Sequence, residues 1–156
     1  MAHKPPPFKV ITRSPEETKQ KGERLVQTLN VGDCLGLIGG LGAGKTVFVK
    51  GMAKGLGIDE ALVHSPSYTI MERYPGKNKS LLHVDLYRLD DFVKGAAESF
   101  GDLGLMEALA VENTIGVIEW YDRIQSILPV SLIVQFKMID EKAREIKVQP
   151  FTSENR

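Results

Sequence analysis

The fold is decided by the stretch Gly39-Gly40-Leu41-Gly42-Ala43-Gly44-Lys45-Thr46, which contains the pattern G-x-x-x-x-G-K-[ST]. Its four glycines allow the backbone to curl so that N–H groups point inward and form a nest for an anion at a helix N-terminus. Lys45 adds a full positive charge for the β- and γ-phosphates of a nucleotide, and the hydroxyl of Thr46 is a ligand for Mg²⁺. The stretch therefore predicts a P-loop rather than a glycine-rich turn that only caps a helix.

The segments on either side predict the strand and the helix that a P-loop joins. Cys34–Ile38 is a nearly continuous apolar run, as in a strand buried on both faces of a parallel sheet. Cys34 within it is expected to be a small buried hydrophobic residue. Residues 45–54 are predicted to form a helix whose core-facing side chains are Val47, Phe48 and Met52.

The N-terminal part of the chain predicts a strand over residues 8–12 and then a helix. Ser14 and Glu17 have the spacing of a capping box at the start of that helix. The helix is expected to end within residues 30–33, and its core stripe comprises Leu25, Val26 and Leu29.

The second half of the chain adds the remaining strands. Residues 68–74 and 81–87 are predicted to pair as a hairpin, and alternation in its second strand predicts one buried face and one polar face. Further predicted elements are a broken helix over residues 90–110, a buried strand over 115–118 and two closing strands over 130–138 and 144–148.

Together these elements predict an α/β fold of the P-loop NTPase type, in three layers, with a central mixed sheet flanked by helices. Parallel strands form the core of the sheet, and the hairpin and the closing strands add antiparallel edges. We expect residues 8–150 to form this one domain, after a disordered lead-in over residues 1–7 and before a flexible tail over residues 151–156.

The composition argues against several classes of partner. The 20 Lys and Arg residues balance the 20 Asp and Glu residues, whereas a domain that grips nucleic acid by itself normally carries a basic excess. No run approaches the ~20 apolar residues needed to span a bilayer, and prolines at positions 5–7 stand where a secretion signal needs its apolar stretch. We therefore expect a cytoplasmic protein that binds neither DNA nor a membrane.

Two carboxylates are candidates for the metal partner that nucleotide hydrolysis requires. Glu119 follows a predicted strand at the end where ligands bind in α/β sheets, although an ordinary solvated glutamate fits the same pattern. Asp85 ends an alternating strand, and its alternative is a helix-capping or exposed aspartate. His83 is expected to fill a face of the sheet, because one cysteine and three histidines make no zinc-binding constellation.

Two further features leave alternatives open. Residues 65–69 form a hydroxyl-rich loop that could reach Mg²⁺ or a γ-phosphate as a switch, or could be a plain turn. Arg73, Arg88 and Arg123 could each approach a phosphate, and the sequence does not choose among them.

Several segments occur in an order that resembles the bacterial TsaE family, also called YjeE. They are the P-loop at residues 39–46, Ser-Pro-Ser-Tyr-Thr at 65–69, His-Val-Asp-Leu-Tyr-Arg-Leu at 83–89 and Ile-Glu-Trp at 118–120. A P-loop is shared by a very large superfamily, whereas Asp-Leu-Tyr-Arg-Leu followed by Ile-Glu-Trp is much more specific. The resemblance covers nearly the whole chain.

This resemblance implies a small P-loop ATPase that binds ATP or ADP with Mg²⁺ and is required for threonylcarbamoyladenosine formation at position 37 of tRNAs reading codons that begin with A. Proteins of that family do not transfer the threonylcarbamoyl group. They bind the TsaD–TsaB complex, in which TsaD performs the transfer from threonylcarbamoyl-AMP made by TsaC, and their ATP hydrolysis is thought to reset the assembly. The tRNA is then only an indirect partner, which agrees with the neutral charge of the chain.

The resemblance also implies roles for individual residues. Lys45, Asp85 and Glu119 are the implied catalytic residues, and the implied metal site comprises Thr46, Glu119 and Asp85, with Asp85 serving either the metal or the attacking water. Trp120 is expected beside the site and Thr18 near the adenine. The remaining nucleotide contacts are expected at the loop and helix start, namely Gly39, Gly40, Leu41, Gly42, Ala43, Gly44, Lys45, Thr46 and Val47.

The chain departs from the family pattern at four places. Gly40 stands where the family usually has Asp, Ser67 replaces the usual Thr, and Tyr121 stands where Pro or a small residue is common. The stretch over residues 91–103 is several residues longer. Because the usual carboxylate at position 40 is missing and no arginine finger is assigned, we expect the isolated protein to hydrolyse ATP slowly.

Three other functions share a P-loop. A small-molecule kinase generally needs several arginines in a mobile lid, and the arginines of this chain are scattered singly. A GTPase switch normally carries an Asn/Thr-Lys-x-Asp segment, and the near match at residues 78–81 lacks the aspartate. The third is a nucleotide-binding scaffold that never hydrolyses ATP, and hydrolysis measured with and without partners distinguishes it.

Overall fold

The computed structural model describes residues 6–66, 70–89 and 104–152. Its strands are β1 (Phe8–Thr12), β2 (Cys34–Ile38), β3 (Met71–Pro75), β4 (Ser80–Asp85), β5 (Thr114–Glu119), β6 (Leu132–Met138) and β7 (Arg144–Pro150). Its helices are α1 (Pro15–Gln27), α2 (Lys45–Gly55) and α3 (Leu105–Leu109), with 3-10 turns at Glu60–Leu62 and Tyr121–Arg123.

The strands form one seven-stranded mixed sheet in the order β1-β7-β6-β2-β5-β4-β3. The four central strands β6, β2, β5 and β4 run parallel, while β3 pairs with β4, β7 with β6 and β1 with β7 in antiparallel fashion. This confirms the predicted parallel core with antiparallel additions. The parallel register sets Leu37 beside Glu119 and Asp85 beside Glu119, so that β2, β5 and β4 end at the same edge of the sheet.

Helices α1 and α2 cover one face of the sheet and pack against each other through glycine. A Cβ atom on Gly51 would lie 1.9 Å from the carbonyl oxygen of Lys19, and one on Gly22 would lie 2.2 Å from that of Phe48. The two backbones therefore approach more closely than any larger residue allows. Ser14 caps α1 as predicted, because its hydroxyl accepts a hydrogen bond from the Glu17 amide.

The two faces of the sheet are buried in separate apolar clusters. Beneath α1 and α2, Leu35, Leu37 and Val117 pack with Phe48 and Met52 of α2. The opposite face packs against α3, the 3-10 turn at Tyr121–Arg123 and the loops around them. Cys34 belongs to that second cluster, where burial raises the pKa of its thiol to about 12, so the expectation of a small hydrophobic residue is confirmed.

Three predicted features of individual elements are wrong. The second face of β4 carries the polar side chains of His83 and Asp85 as predicted, but it is not open, since Leu81, Leu82, His83 and Val84 are all buried; the strand lies inside the sheet and both its faces are covered. Val47 is half-buried, and Val49 takes the predicted core place on α2 beside Phe48 and Met52. Helix α1 ends at Gln27, before residues 30–33.

Some predictions fall partly outside the described residues. The predicted hairpin strand over 68–74 begins at Met71 in the structure, and residues 67–69 are not described. Of the broken helix predicted over 90–110, α3 is the described part, and residues 90–103 are not described. The domain limits at residues 8 and 150 stay predictions. None of the helices in the described ranges is long and apolar enough to cross a membrane.

Candidate functional site

The loop over residues 39–44 joins β2 to α2 and carries two backbone conformations that favour glycine. Gly42 has φ +74° and Gly44 has φ +101°, in the left-handed region that residues with a Cβ atom rarely adopt. Gly44 caps α2 with no side-chain hydrogen bond, so the first N–H groups of the helix have no partner from a capping side chain. These free donors and the positive end of the helix dipole suit an anion.

Lys45 places its ammonium group at this loop. The side chain is buried, and Nζ donates to the carbonyl oxygen of Gly39 and, at 3.3 Å, to that of Gly40. Burial lowers the pKa of Lys45 from its usual value, while the carboxylates of Glu119 and Asp85 act in the opposite direction. The amine therefore lies at the P-loop, where the charges of both candidate carboxylates act on it.

Thr46 and Glu119 are in direct contact. The Thr46 hydroxyl lies 3.2 Å from Oε1 and 3.3 Å from Oε2 of Glu119, and 3.4 Å from the hydroxyl of Ser65. Glu119 is only 2% exposed, so the alternative of an ordinary solvated glutamate is wrong. A buried carboxylate beside a hydroxyl at the end of a parallel strand is an arrangement that suits a hard cation.

Asp85 lies next to Glu119 on the neighbouring strand. It is half-buried, and its Oδ1 accepts a hydrogen bond from the Tyr87 amide at 2.9 Å. Burial raises the pKa of Asp85; the hydrogen bond from Tyr87 acts against that rise, and the charge of Glu119 adds to it. Asp85 thus caps the turn after β4 and also faces the site, which combines the two interpretations that the sequence left open.

His83 is the contact that the sequence analysis missed. Its side chain is fully buried, and Nε2 lies 2.6 Å from Oε2 of Glu119. The one feature of the sequence that points to this contact is the alternation along β4, which puts His83 on the same face as Asp85. The expected face-filling histidine is therefore bonded to a candidate metal ligand.

Trp120 follows Glu119 in a strained backbone conformation. Its φ of 60° and ψ of 38° are left-handed, which costs a residue with a side chain about 1–2 kcal/mol. The Trp120 ring lies over Lys45, whose Nζ is 3.6 Å from the ring centre. The ring centres of Trp120 and Tyr87 are 5.2 Å apart. Trp120 therefore lies beside Lys45, and its contact with a nucleotide stays a prediction.

Lys45, Thr46 and Glu119 line a cavity of about 430 Å³, within the range of small-molecule sites. The residues that line it also include Asp85, Tyr87, Arg88, Trp120, Ser14, Thr18, Leu41, Val47, Lys142 and Arg144. Thr18 is itself buried and its hydroxyl lies 2.7 Å from that of Thr12. The Thr18 methyl group therefore remains for contact on the loop side, where Gly44 is its neighbour.

The structure distinguishes among the three arginines that the sequence offered as candidate phosphate ligands. Arg73 donates to the Thr114 hydroxyl at 2.7 Å and to the Ala108 carbonyl at 2.6 Å, so it ties β3 to the other elements and is not a phosphate ligand. Of the three candidates, Arg88 lines the cavity. Arg144, which the sequence analysis missed, also lines it and donates to the Gly42 carbonyl at 3.1 Å.

The donor set fits Mg²⁺ in the company of a nucleotide. Within the described ranges, no group of three or more His, Cys, Asp or Glu side chains is placed to hold a metal ion. What the site offers is the Thr46 hydroxyl and the carboxylates of Glu119 and Asp85. Mg²⁺ prefers oxygen ligands and is usually held by one or two carboxylates together with substrate phosphates.

Comparisons with known proteins agree on one family. The family model described as threonylcarbamoyl adenosine biosynthesis protein TsaE matches residues 12–147. The tRNA threonylcarbamoyladenosine biosynthesis protein TsaE of Treponema pallidum is 36% identical over 142 residues, which cover 90% of this chain and 99% of that protein. Its counterpart from Bacillus subtilis is 38% identical over 136 residues, covering 86% of this chain and 80% of that protein.

A solved structure gives the same result in three dimensions. The crystal structure of YdiB from Bacillus subtilis superposes with a TM-score of 0.68 at 31% sequence identity, covering 96% of this chain and 88% of that one. The expected fold class is therefore confirmed by both the sheet topology and a solved relative. The chain belongs to the TsaE family, whose members are threonylcarbamoyl adenosine biosynthesis proteins.

Proposed function

We propose that this protein is an ATPase, dependent on Mg²⁺, that acts on the TsaD–TsaB complex during threonylcarbamoyladenosine formation on tRNA. The observation that supports it most is the meeting of Lys45, Thr46, Glu119 and Asp85 at one cavity, where β2, β5 and β4 end. The amine, hydroxyl and carboxylates needed to bind a nucleotide and its metal thus come from three adjacent elements of the fold.

Each group has a role that follows from its position. Lys45 and the first amides of α2 bind the β- and γ-phosphates. The Thr46 hydroxyl and Glu119 hold Mg²⁺, which neutralises charge on the phosphate oxygens when it is bound. Asp85, whose Oδ1 accepts a hydrogen bond from the Tyr87 amide, serves either the metal or the attacking water.

The adenosine moiety requires contacts besides those assigned to the phosphates and the metal. Thr18, Lys142 and Arg144 also line the cavity, and Thr18 and Arg144 lie near Gly44 of the loop. We assign them to the adenosine moiety, with the Thr18 methyl group as an apolar contact. The neutral net charge favours a cytoplasmic protein that meets tRNA through its partner complex and not by gripping the phosphate backbone itself.

The two main alternatives make different predictions. A small-molecule kinase needs arginines around the transferred phosphoryl group, yet Arg73 is held by Thr114 and Ala108. A scaffold that binds nucleotide without hydrolysing it would use the same loop and Lys45. Only a measurement of turnover separates that scaffold from an ATPase.

The test combines capture and hydrolysis. Immobilised protein is incubated with purified TsaD–TsaB in the presence of ATP, ADP or no nucleotide, and phosphate release is measured in parallel. We expect capture that depends on the nucleotide and hydrolysis that rises when TsaD–TsaB is added, both lost in Lys45→Ala. Capture without hydrolysis would favour the scaffold, and no capture in any nucleotide state would contradict the proposed partner.

A further inference from the structure

The contact between His83 and Glu119 is the shortest one that either metal-site carboxylate makes with a side chain. Nε2 of His83 lies 2.6 Å from Oε2 of Glu119, and both side chains are almost completely buried. The pair joins β4 to β5, where His83 is opposite Val117 and Asp85 is opposite Glu119. The histidine therefore reaches Glu119 from the neighbouring pair of the register, His83 and Val117, which precedes the pair Asp85 and Glu119 along the two strands.

Glu119 has few other means of being held. Among the described residues it forms no ion pair with a lysine or arginine, and its second donor is the Thr46 hydroxyl at 3.2–3.3 Å. A buried carboxylate needs hydrogen bonds to be kept in place. Because Thr46 is itself assigned to the metal, His83 is the one donor that serves Glu119 alone.

The other ring nitrogen of His83 indicates which tautomer is present. Nδ1 is buried and has no hydrogen-bond partner among the described residues. A buried N–H group without an acceptor is costly. A proton on Nε2 has an acceptor, since Nε2–H donates to the carboxylate of Glu119.

We propose that His83 is a positioning residue that donates from Nε2 to Oε2 of Glu119 and thereby holds this carboxylate in place beside the Thr46 hydroxyl and the bound cation. The inference rests on the proposed function, because it concerns the magnesium site of the same cavity. His83 is not among the residues that line the cavity. Its effect passes through the orientation of one carboxylate, as outer partners of metal ligands commonly act.

The test uses two variants of His83 and one control on the same strand. His83→Gln keeps an N–H donor near the position of Nε2, while His83→Leu removes it at similar volume. Leu81→Ala is the control, because Leu81 is fully buried on the same face of β4 but lies in the apolar cluster beneath α1 and α2. Each protein is titrated with Mg²⁺ at fixed ADP, and ADP binding is also measured in EDTA.

In the titration with Mg²⁺ at fixed ADP, we expect His83→Leu to raise the Mg²⁺ concentration that gives half of the maximal change in ADP binding by on the order of tenfold or more. The affinity for ADP in EDTA should change little. His83→Gln should restore most of the magnesium response. Leu81→Ala should lose stability but keep the magnesium response of the wild type. A wild-type response in His83→Leu, no rescue by Gln, or the same loss in Leu81→Ala would each overturn the inference.

A second measurement does not depend on the variants folding. The ¹⁵N resonances of the His83 ring in the wild-type protein show whether Nε2 carries a proton. We expect a protonated Nε2, and an unprotonated Nε2, which could not donate to Glu119, would overturn the inference. Wild-type protein that binds no nucleotide would overturn the proposed function as well, whereas nucleotide binding with the wrong tautomer overturns the role of His83 alone.

Discussion

The Nζ atom of Lys45 lies 3.6 Å from the centre of the Trp120 ring, close enough for a cation–π interaction. Trp120 reaches this position because it leaves β5 in a left-handed conformation directly after Glu119. One ammonium group is thus shared between the carbonyl oxygens of the P-loop and an aromatic face. Bound phosphates would compete with both for the same charge.

This relationship predicts a fluorescence signal for nucleotide binding. Trp120 is the single tryptophan of the chain, and we expect its emission to change on addition of ADP because the phosphates draw Lys45 away from the ring. The measurement is an ADP titration followed by tryptophan emission and, in parallel, by calorimetry. Calorimetric binding with unchanged emission would mean that Lys45 keeps its place on the ring.

The Glu119→Gln substitution tests the assignment of the metal site. The amide keeps the size of the side chain but loses the charge that a cation requires, so we expect ATP hydrolysis in Mg²⁺ to fall by on the order of tenfold or more. ADP binding in EDTA should stay close to that of the wild type. The matched control is Glu107→Gln, because Glu107 is exposed on α3. Equal losses with and without metal would show that Glu119 has a structural role only.

Gly40→Asp tests why the isolated protein is expected to hydrolyse ATP slowly. Gly40 is exposed and a Cβ atom there meets nothing within 4 Å, so the free energy of unfolding should change by no more than about 0.5 kcal/mol. We expect phosphate release to increase, because the substitution restores the carboxylate that the family usually has.

Gly42→Asp is the control for that experiment. At φ +74° the new side chain should cost about 1–2 kcal/mol of stability. If Gly40→Asp folds normally and its turnover does not change, the missing carboxylate does not explain slow hydrolysis.

Gly51→Ala tests the close packing that holds α1, and with it Thr18, against α2. Alanine favours a helix over glycine by about 1 kcal/mol, but its Cβ atom would lie 1.9 Å from the Lys19 carbonyl oxygen. We expect a net loss of about 1–3 kcal/mol in urea denaturation. Lys54→Ala, at an exposed position of the same helix, should stay within about 0.5 kcal/mol of the wild type. Unchanged stability in Gly51→Ala would mean that the two helices separate at little cost.

Local sequence patterns predicted the parts of this protein whose physics is local. The capping box at Ser14, the apolar run of β2 and the glycines before Lys45 each specify a backbone conformation within a few residues. The parallel core followed from the near-continuous apolar strands. For these elements the expectations and the structure agree.

Contacts between distant segments could not be predicted in the same way. His83 and Glu119 are 36 positions apart, and their contact depends on the register of β4 against β5. Arg73 finds its partners on α3 and β5, which its own strand does not reveal. The face of β4 that carries His83 and Asp85 was expected to be open and is buried instead, because alternation does not show what covers the second face of a strand.

Calorimetric titration of the wild-type protein and of Lys45→Ala with ADP in Mg²⁺ tests the phosphate cradle most directly. Lys50→Ala, on the same helix, is the control for loss of a positive charge. Removing the ammonium group at Gly39 and Gly40 should weaken binding by on the order of ten- to a hundred-fold, while Lys50→Ala binds like the wild type. A Lys45→Ala variant that binds ADP as tightly as the wild-type protein would contradict the assignment of residues 39–46 as the phosphate-binding site.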